Sequence, residues 1–117
     1  MGVVYIYGLY DPLGELRYVG KTHQPLQVRL SKHIGEARRT KSRRHVYLWI
    51  RTLMRAGSLP TIKVIEITDQ EHWEERERYW IKYHRSIGTR LCNHAAGGRG
   101  RPPRRNRTRT KKQRRKR

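Results

Sequence analysis

Glu77 is the side chain in this sequence whose type and place most call for chemistry. Around it Trp73, Trp80, Ile81 and His84 recur at helical spacing and form one stripe. Glu77 stands four residues after Trp73, three before Trp80 and four before Ile81, so it lies inside that stripe. The other charges of the segment, Glu71, Glu75, Arg78, Lys82 and Arg85, follow a spacing of their own on the opposite side. A carboxylate among apolar side chains is costly unless it is paired or binds a cation. Two outcomes fit: a salt bridge to an inward Arg such as Arg29, or coordination of Mg²⁺. Mg²⁺ takes hard oxygen donors and keeps several waters. One inward carboxylate suits a one-metal site better than a two-metal clamp.

Arg29 and His33 are the next candidates. They share a helix face at i, i+4. Arg29 adjoins Leu30 and lies three residues after Leu26, so it borders an apolar stripe. Its planar fork matches phosphate oxygens. His33 is placed to contact phosphate or to relay a proton; a solvated basic face is the plain alternative for both. Tyr5 and Tyr7 share a strand face, and Tyr18 on the return strand is placed to meet Tyr7 across a hairpin. Phenols there serve as packing or as contacts to water and phosphate; Tyr5 is assigned to packing. Asn93 either holds a phosphate or fixes its loop. Lys21 either touches a nucleic-acid backbone or is simply exposed.

These residues need a scaffold. Residues 3–10 are rich in β-branched and aromatic types, Asp11-Pro12-Leu13-Gly14 is a turn signal, and residues 15–20 read as the return strand of a hairpin. Pro25 suits a helix N1 position, followed by Leu26, Leu30, Ile34 and Ala37 at helical spacing. Thr40 to Arg44 is a polar break. A second helix carries Val46, Trp49, Ile50, Leu53 and Met54 on one face, with Gly57 as its stop. Residues 61–67 read as a third strand. Thr68-Asp69-Gln70-Glu71 fits a capping box for a third helix that runs to about Ile87 and ends at Gly88. The expected fold is α+β, a small three-stranded antiparallel sheet flanked by helices in the order β-β-α-α-β-α.

The charge is lopsided. The chain of 117 residues carries 29 Lys/Arg against 9 Asp/Glu, a net charge of +20. Residues 99–117 hold twelve Lys/Arg and no acid, and residues 1–98 keep a charge of +8. A basic body with a more basic tail points to a polyanionic partner, nucleic acid before a membrane surface. The tail has no side chain able to build a core, so residues 1–98 are expected as one domain and 99–117 as a disordered DNA-binding tail. Within it, Arg99-Gly100-Arg101-Pro102, with Arg104 and Arg105 following, is similar to the core of an AT-hook, a minor-groove element; phosphate contact alone is the alternative. The lone Cys92 rules out an internal disulfide and a cysteine-based zinc cluster, and is expected as a buried apolar residue. With no apolar run long enough for a signal or span, the protein is expected to be cytoplasmic.

Taken in order, Tyr5-Ile6-Tyr7, Tyr18-Val19-Gly20, Arg29, His33, His45, Glu77 and Asn93 resemble the pattern of the GIY-YIG nucleases over residues 3–98. Tyr5 stands where the first motif has Gly, and Val19 where the second has Ile. The resemblance implies a metal-dependent DNA endonuclease with a one-metal mechanism. Tyr7, Tyr18, Arg29, His33, Glu77 and Asn93 would be catalytic, Glu77 would bind Mg²⁺ (or Mn²⁺), and Lys21, His45, Arg99, Arg101, Arg104 and Arg105 would contact DNA. The substrate would be double-stranded or branched DNA. Which tyrosine acts on the water stays open, and the phenol pKa would have to be depressed by nearby cations. A stand-alone nuclease resembles those of phages and mobile elements, working in a bacterial or phage-infected host. A non-catalytic nucleic-acid-binding protein is the rival, and the inward Glu77 speaks against it.

Overall fold

The computed structural model describes residues 2–93. Its elements are β1 (Val3–Tyr10), β2 (Leu16–Thr22), α1 (Leu26–Arg39), α2 (His45–Arg55), β3 (Thr61–Asp69) and α3 (Trp73–Ser86). This is the expected order, and the sheet is antiparallel throughout, arranged β2-β1-β3. The segment 99–117, expected as a disordered tail with its AT-hook-like core, lies outside the described residues, as do Arg99, Arg101, Arg104 and Arg105.

β1 is the central strand, and its alternation feeds two cores. Tyr7 and Leu9 face a cluster with Ala37 of α1, Val46, Tyr47, Trp49 and Ile50 of α2, and Cys92. Val4 and Ile6 face the other way, onto Trp73 and Ile81 of α3, with Leu16 and Val19 of β2. A strand rich in Val, Ile and Tyr suits this double burial. The sheet is therefore a middle layer, with α1 and α2 on one face and α3 on the other. Between Leu9 and Tyr10 the pairing shifts by one residue, which turns Leu16 to one face and Tyr18 to the other.

Two boundaries differ from the sequence expectation. Pro25 is the N-cap of α1 rather than its first helical residue. The capping box at Thr68 does not form: β3 stays paired with β1 as far as Asp69, opposite Val3. The Asp69 carboxylate instead accepts the backbone N–H groups of Glu71 and His72 (both 3.0 Å), and α3 starts only at Trp73. The helix stops hold. Gly57 and Gly88 adopt positive φ (80° and 88°), which lets the N–H groups of Ser58 and Thr89 reach back to Leu53 and His84.

The polar break between α1 and α2 has a fastener. The Arg51 guanidinium donates to the carbonyls of Ala37, Thr40 and Ser42, each at 2.8 Å. These include end-of-helix carbonyls with no partner inside α1. Hydrogen bonds to a charged donor are worth more than neutral ones, so Arg51→Ala is expected to cost roughly 2 kcal/mol in urea unfolding. Arg51→Lys should recover little of it, because a compact ammonium cannot match the fork.

The chain after α3 returns along the outer edge of β2. Cys92 N–H donates to Arg17 O at 2.5 Å, and the Arg17 Nε donates to Arg90 O at 2.7 Å. The Asn93 amide closes both sides of one residue, accepting from Val19 N–H (3.0 Å) and donating to Val19 O (2.8 Å). The edge of β2 is thus covered by a strand-like lace whose last stitch is a side chain.

Candidate active site

On the α1–α2 face of the sheet, β1 and β2 present Tyr7 and Tyr18 as diagonal neighbours, since Tyr7 pairs with Gly20 and Leu9 with Tyr18. Their ring centroids are 6.3 Å apart. His33 of α1 packs edge-on against both, 5.9 Å from Tyr7 and 5.4 Å from Tyr18. Tyr47 of α2 closes the group, 6.2 Å from the His33 ring. Four rings from four elements therefore meet at one point, and Arg29 joins them one helical turn before His33.

The hydrogen bonds have a direction. Arg29 Nε donates to the Tyr7 hydroxyl oxygen at 3.2 Å. That oxygen lies 2.7 Å from His33 Nε2. Either partner can donate in this bond; in the tautomer with Nδ1 protonated, the phenol gives its hydrogen to His33 Nε2. Nδ1 is buried with no hydrogen-bond partner among the described residues. The chain of bonds is Arg29 to Tyr7 to His33, and in that tautomer it ends on an imidazole nitrogen that accepts from the phenol.

Gly20 makes this close approach possible. A Cβ placed there would sit 2.6 Å from the Tyr7 hydroxyl oxygen and 2.9 Å from a Tyr18 ring carbon. Tyr7 cannot yield, because its ring is buried and its hydroxyl is bonded at two points. Gly20→Ala is therefore expected to dislodge the Tyr7 hydroxyl, lowering the melting temperature and abolishing whatever chemistry depends on it. Thermal unfolding and the activity assay named below check both halves.

Burial sets the electrostatics. It pushes the Tyr7 phenol well above its ordinary range, helped by the neighbouring Tyr18 and by the Glu77 carboxylate; Arg29 pulls the other way through charge and hydrogen bond and loses. Burial also raises Tyr18, with Glu77 adding to it and Arg44 and Arg29 opposing. The sequence expectation that nearby cations would depress a phenol is thus reversed in this state: the cations are present, and desolvation outweighs them. His33 is held down to about 3 by burial first, then by Arg29 and Arg44. It is neutral at physiological pH.

A stability consequence follows. Unfolded His33 takes up a proton below about 6.5, and folded His33 refuses it down to about 3. Its contribution is complete above the upper value and is lost as the pH falls between the two. The loss approaches about 1.4 kcal/mol per pH unit in the middle of that window. Urea midpoints at pH 7.0, 5.5 and 4.5 should fall less steeply for His33→Gln than for the wild type.

Glu77 is buried on α3, at 8% exposure, between Trp73 and Ile81 in the helix face that packs on the sheet. The charged residues Glu75, Arg78, Lys82 and Arg85 are exposed on the other side, as their spacing requires, and Glu71 is exposed in the turn before the helix. Its carboxylate comes from the face of the sheet opposite the phenols, yet its charge acts on Tyr7 and Tyr18. Tyr18 and Gly20 lie on β2, an edge strand of the sheet. Among the described residues no three His, Cys, Asp or Glu side chains converge as a metal cage. Mg²⁺ needs no such cage, since one or two carboxylates and several waters hold it, and the buried hard-oxygen donor at Glu77 fits that ion.

A family model, the GIY-YIG catalytic domain, matches residues 3–91. The chain belongs to the GIY-YIG family. No curated protein and no solved structure matches it significantly. The match takes in the phenols, Arg29, His33, His45 and Glu77, and stops just short of Asn93.

Within this GIY-YIG domain the candidates from the sequence divide by position. Tyr7, Tyr18, Arg29 and His33 come together, with Glu77 acting from the far face. Asn93 spends its amide on the Val19 backbone, which anchors the chain beside Tyr18 and Gly20. Lys21 points to the α3 face, its ammonium 4.5 Å from the Trp73 ring centre. His45 opens α2 and, with Arg17 and Trp49, lines an open cavity of about 400 Å³. Sequence reasoning missed Tyr47 and Arg44. The Arg44 guanidinium lies 5.6 Å from the Tyr47 ring centre and its charge reaches Tyr18 and His33. Their i, i+3 spacing at the start of a helix was the available signal.

Proposed function

We propose that this GIY-YIG domain is a metal-dependent endonuclease that hydrolyses DNA phosphodiesters. The observation that carries the proposal is the Arg29–Tyr7–His33 hydrogen-bonded chain beside Tyr18, under the charge of a buried Glu77. A protein that only binds nucleic acid gains nothing from that arrangement.

The residues divide the work by exposure. Tyr7 is fully buried and Tyr18 is part-exposed, so an incoming phosphodiester and its attacking water meet Tyr18 first. Tyr18 orients the water. Its proton departs through Tyr7, which need not become a phenolate, because it hands its own hydrogen to His33 Nε2 as it receives another. Two of the three causes that hold His33 down are the charges of Arg29 and Arg44. A phosphate bound by those cations offsets them, and the imidazole becomes a better acceptor in the complex than in the free protein. Arg29 also neutralises charge developing on the non-bridging oxygens. The water oxygen bonds to phosphorus, the bond to the leaving oxygen breaks, and that oxygen is protonated from solvent. Glu77 would hold Mg²⁺, or Mn²⁺ in its place, which supplies Lewis-acid polarisation of the phosphate and stabilisation of the leaving group.

Arg44 and Arg29 provide a basic entrance, and the charge of +20 fits a polyanionic substrate. Double-stranded or branched DNA, a cytoplasmic setting and a phage or mobile-element role all belong to this proposal. Among the described residues no helix is long and apolar enough to cross a membrane. End-labelled duplex and four-way-junction DNA, incubated with the full chain in Mg²⁺ or Mn²⁺, test it. Cleavage that stops with EDTA supports the proposal. Salt-sensitive retention of both DNAs with no cleavage in either metal supports the non-catalytic binding reading in its place.

A further inference from the structure

The outer face of α3 is not used by the chemistry above, and it carries large aromatic rings. Tyr79 and Tyr83 are 46% and 42% exposed. Their rings are nearly parallel, at 9°, with centroids 6.3 Å apart. Trp80 stands edge-on to both, at 5.1 and 5.8 Å, and its indole N–H is tied to Glu66 at 2.7 Å. The Arg76 guanidinium lies 4.4 Å from the Tyr79 ring centre and is itself held by Glu66. Two tyrosines are thus fixed in place while still facing solvent. Ordering side chains usually opposes binding, and here most of that ordering is already done.

The surroundings are basic. Arg78 and Lys82 flank the tyrosines, and among the described residues neither forms an ion pair. An open groove of about 640 Å³ runs past Arg78, Tyr79 and Lys82. Of the three acids of the helix, Glu77 is buried on the opposite face, and Glu74 and Glu75 sit in the first turn, one turn before Arg78 and Tyr79 and two turns before Lys82 and Tyr83. We propose that this face of α3 docks single-stranded nucleic acid, with bases stacked on Tyr79 and Tyr83 and phosphates on Arg78 and Lys82. Exposed π faces between cations are what an unpaired strand recognises, whereas a duplex hides its base faces and offers phosphates alone. A second copy of the chain meets the same positive charge, and so do residues 99–117 with their twelve Lys/Arg.

The placement adds something to the enzyme without depending on it. Tyr83 follows Glu77 by six residues, about 9 Å along the helix axis. The phenol cluster lies on the other side of the sheet. A strand held on α3 leaves the catalytic face open to a duplex, which suits a substrate with an unpaired arm.

The test uses the full chain and an oligothymidylate carrying one 5-iodouracil. Irradiation should cross-link Tyr79 or Tyr83, identified by peptide mass spectrometry. Tyr79→Ala/Tyr83→Ala should weaken oligothymidylate binding by about tenfold or more, leave affinity for a blunt duplex unchanged, and leave the far-ultraviolet circular dichroism intact. Tyr79→Phe/Tyr83→Phe, which keeps the π faces, should bind like the wild type. Cross-links confined to other residues, equal losses on single strand and duplex, or loss in the Phe variant would each overturn the proposal. A wild-type dimer converted to a monomer by the Ala variant would assign the face to self-association instead.

Discussion

Tyr7→Phe should lower single-turnover cleavage by about 10²–10⁴-fold, the range spanned by general acid–base groups. The ring is unchanged, so its packing with Leu9, Tyr47 and Ile50 survives. What is removed is one oxygen that accepts from Arg29 at 3.2 Å and gives its proton to His33 at 2.7 Å. His33 then has two buried nitrogens without partners instead of one. The stability cost is about 1–3 kcal/mol for the orphaned acceptor, visible in urea unfolding but too small to explain the rate. Affinity for DNA should hardly move, because the buried phenol is not at the surface. A rate within about threefold of the wild type would take Tyr7 out of the proton path and leave it a packing residue.

Glu77→Gln should also be damaging, with a loss of about 10²–10³-fold or more in Mg²⁺. The substitution keeps the shape, replaces one acceptor oxygen by an NH₂ donor and deletes the charge that a hard divalent ion requires. Raising the metal concentration should recover part of the activity, because a weakened site still fills by mass action. A second signature is independent of turnover. The Glu77 charge raises both Tyr7 and Tyr18, so its removal should move phenol ionisation toward lower pH in an ultraviolet titration. Unchanged metal dependence in the variant would locate the ion elsewhere.

The sequence made much of this legible, for reasons that can be traced to particular residues. Glu77 stood out because α3 is long enough for its 3.6-residue period to separate an inward stripe from an outward one. Arg29 and His33 were readable from i, i+4 spacing, and the hairpin from the turn residues at Asp11 to Gly14. Which face of the sheet each helix covers was not readable. β1 alternates between Val4 and Ile6 on one side and Tyr7 and Leu9 on the other, and both sets are apolar. The start of α3 was misplaced because strand pairing of Asp69 with Val3 overrode a local capping pattern. The roles of Gly20 and Asn93 depend on contacts across the sheet and across 74 residues of chain, and no local pattern encodes them. The burial that raises both phenols was not legible either, since residue types reveal nearby cations and only a fold reveals desolvation.

The most direct test is supercoiled plasmid incubated with the full chain in Mg²⁺, in EDTA, and beside Glu77→Gln in Mg²⁺, with circular dichroism confirming that the variant is folded. Nicking by the wild type that is absent in EDTA and in the variant is the expected result. Nicking that persists in Glu77→Gln, or intact plasmid with the wild type across Mg²⁺ and Mn²⁺, would contradict the assignment of this site as a metal-dependent phosphodiesterase.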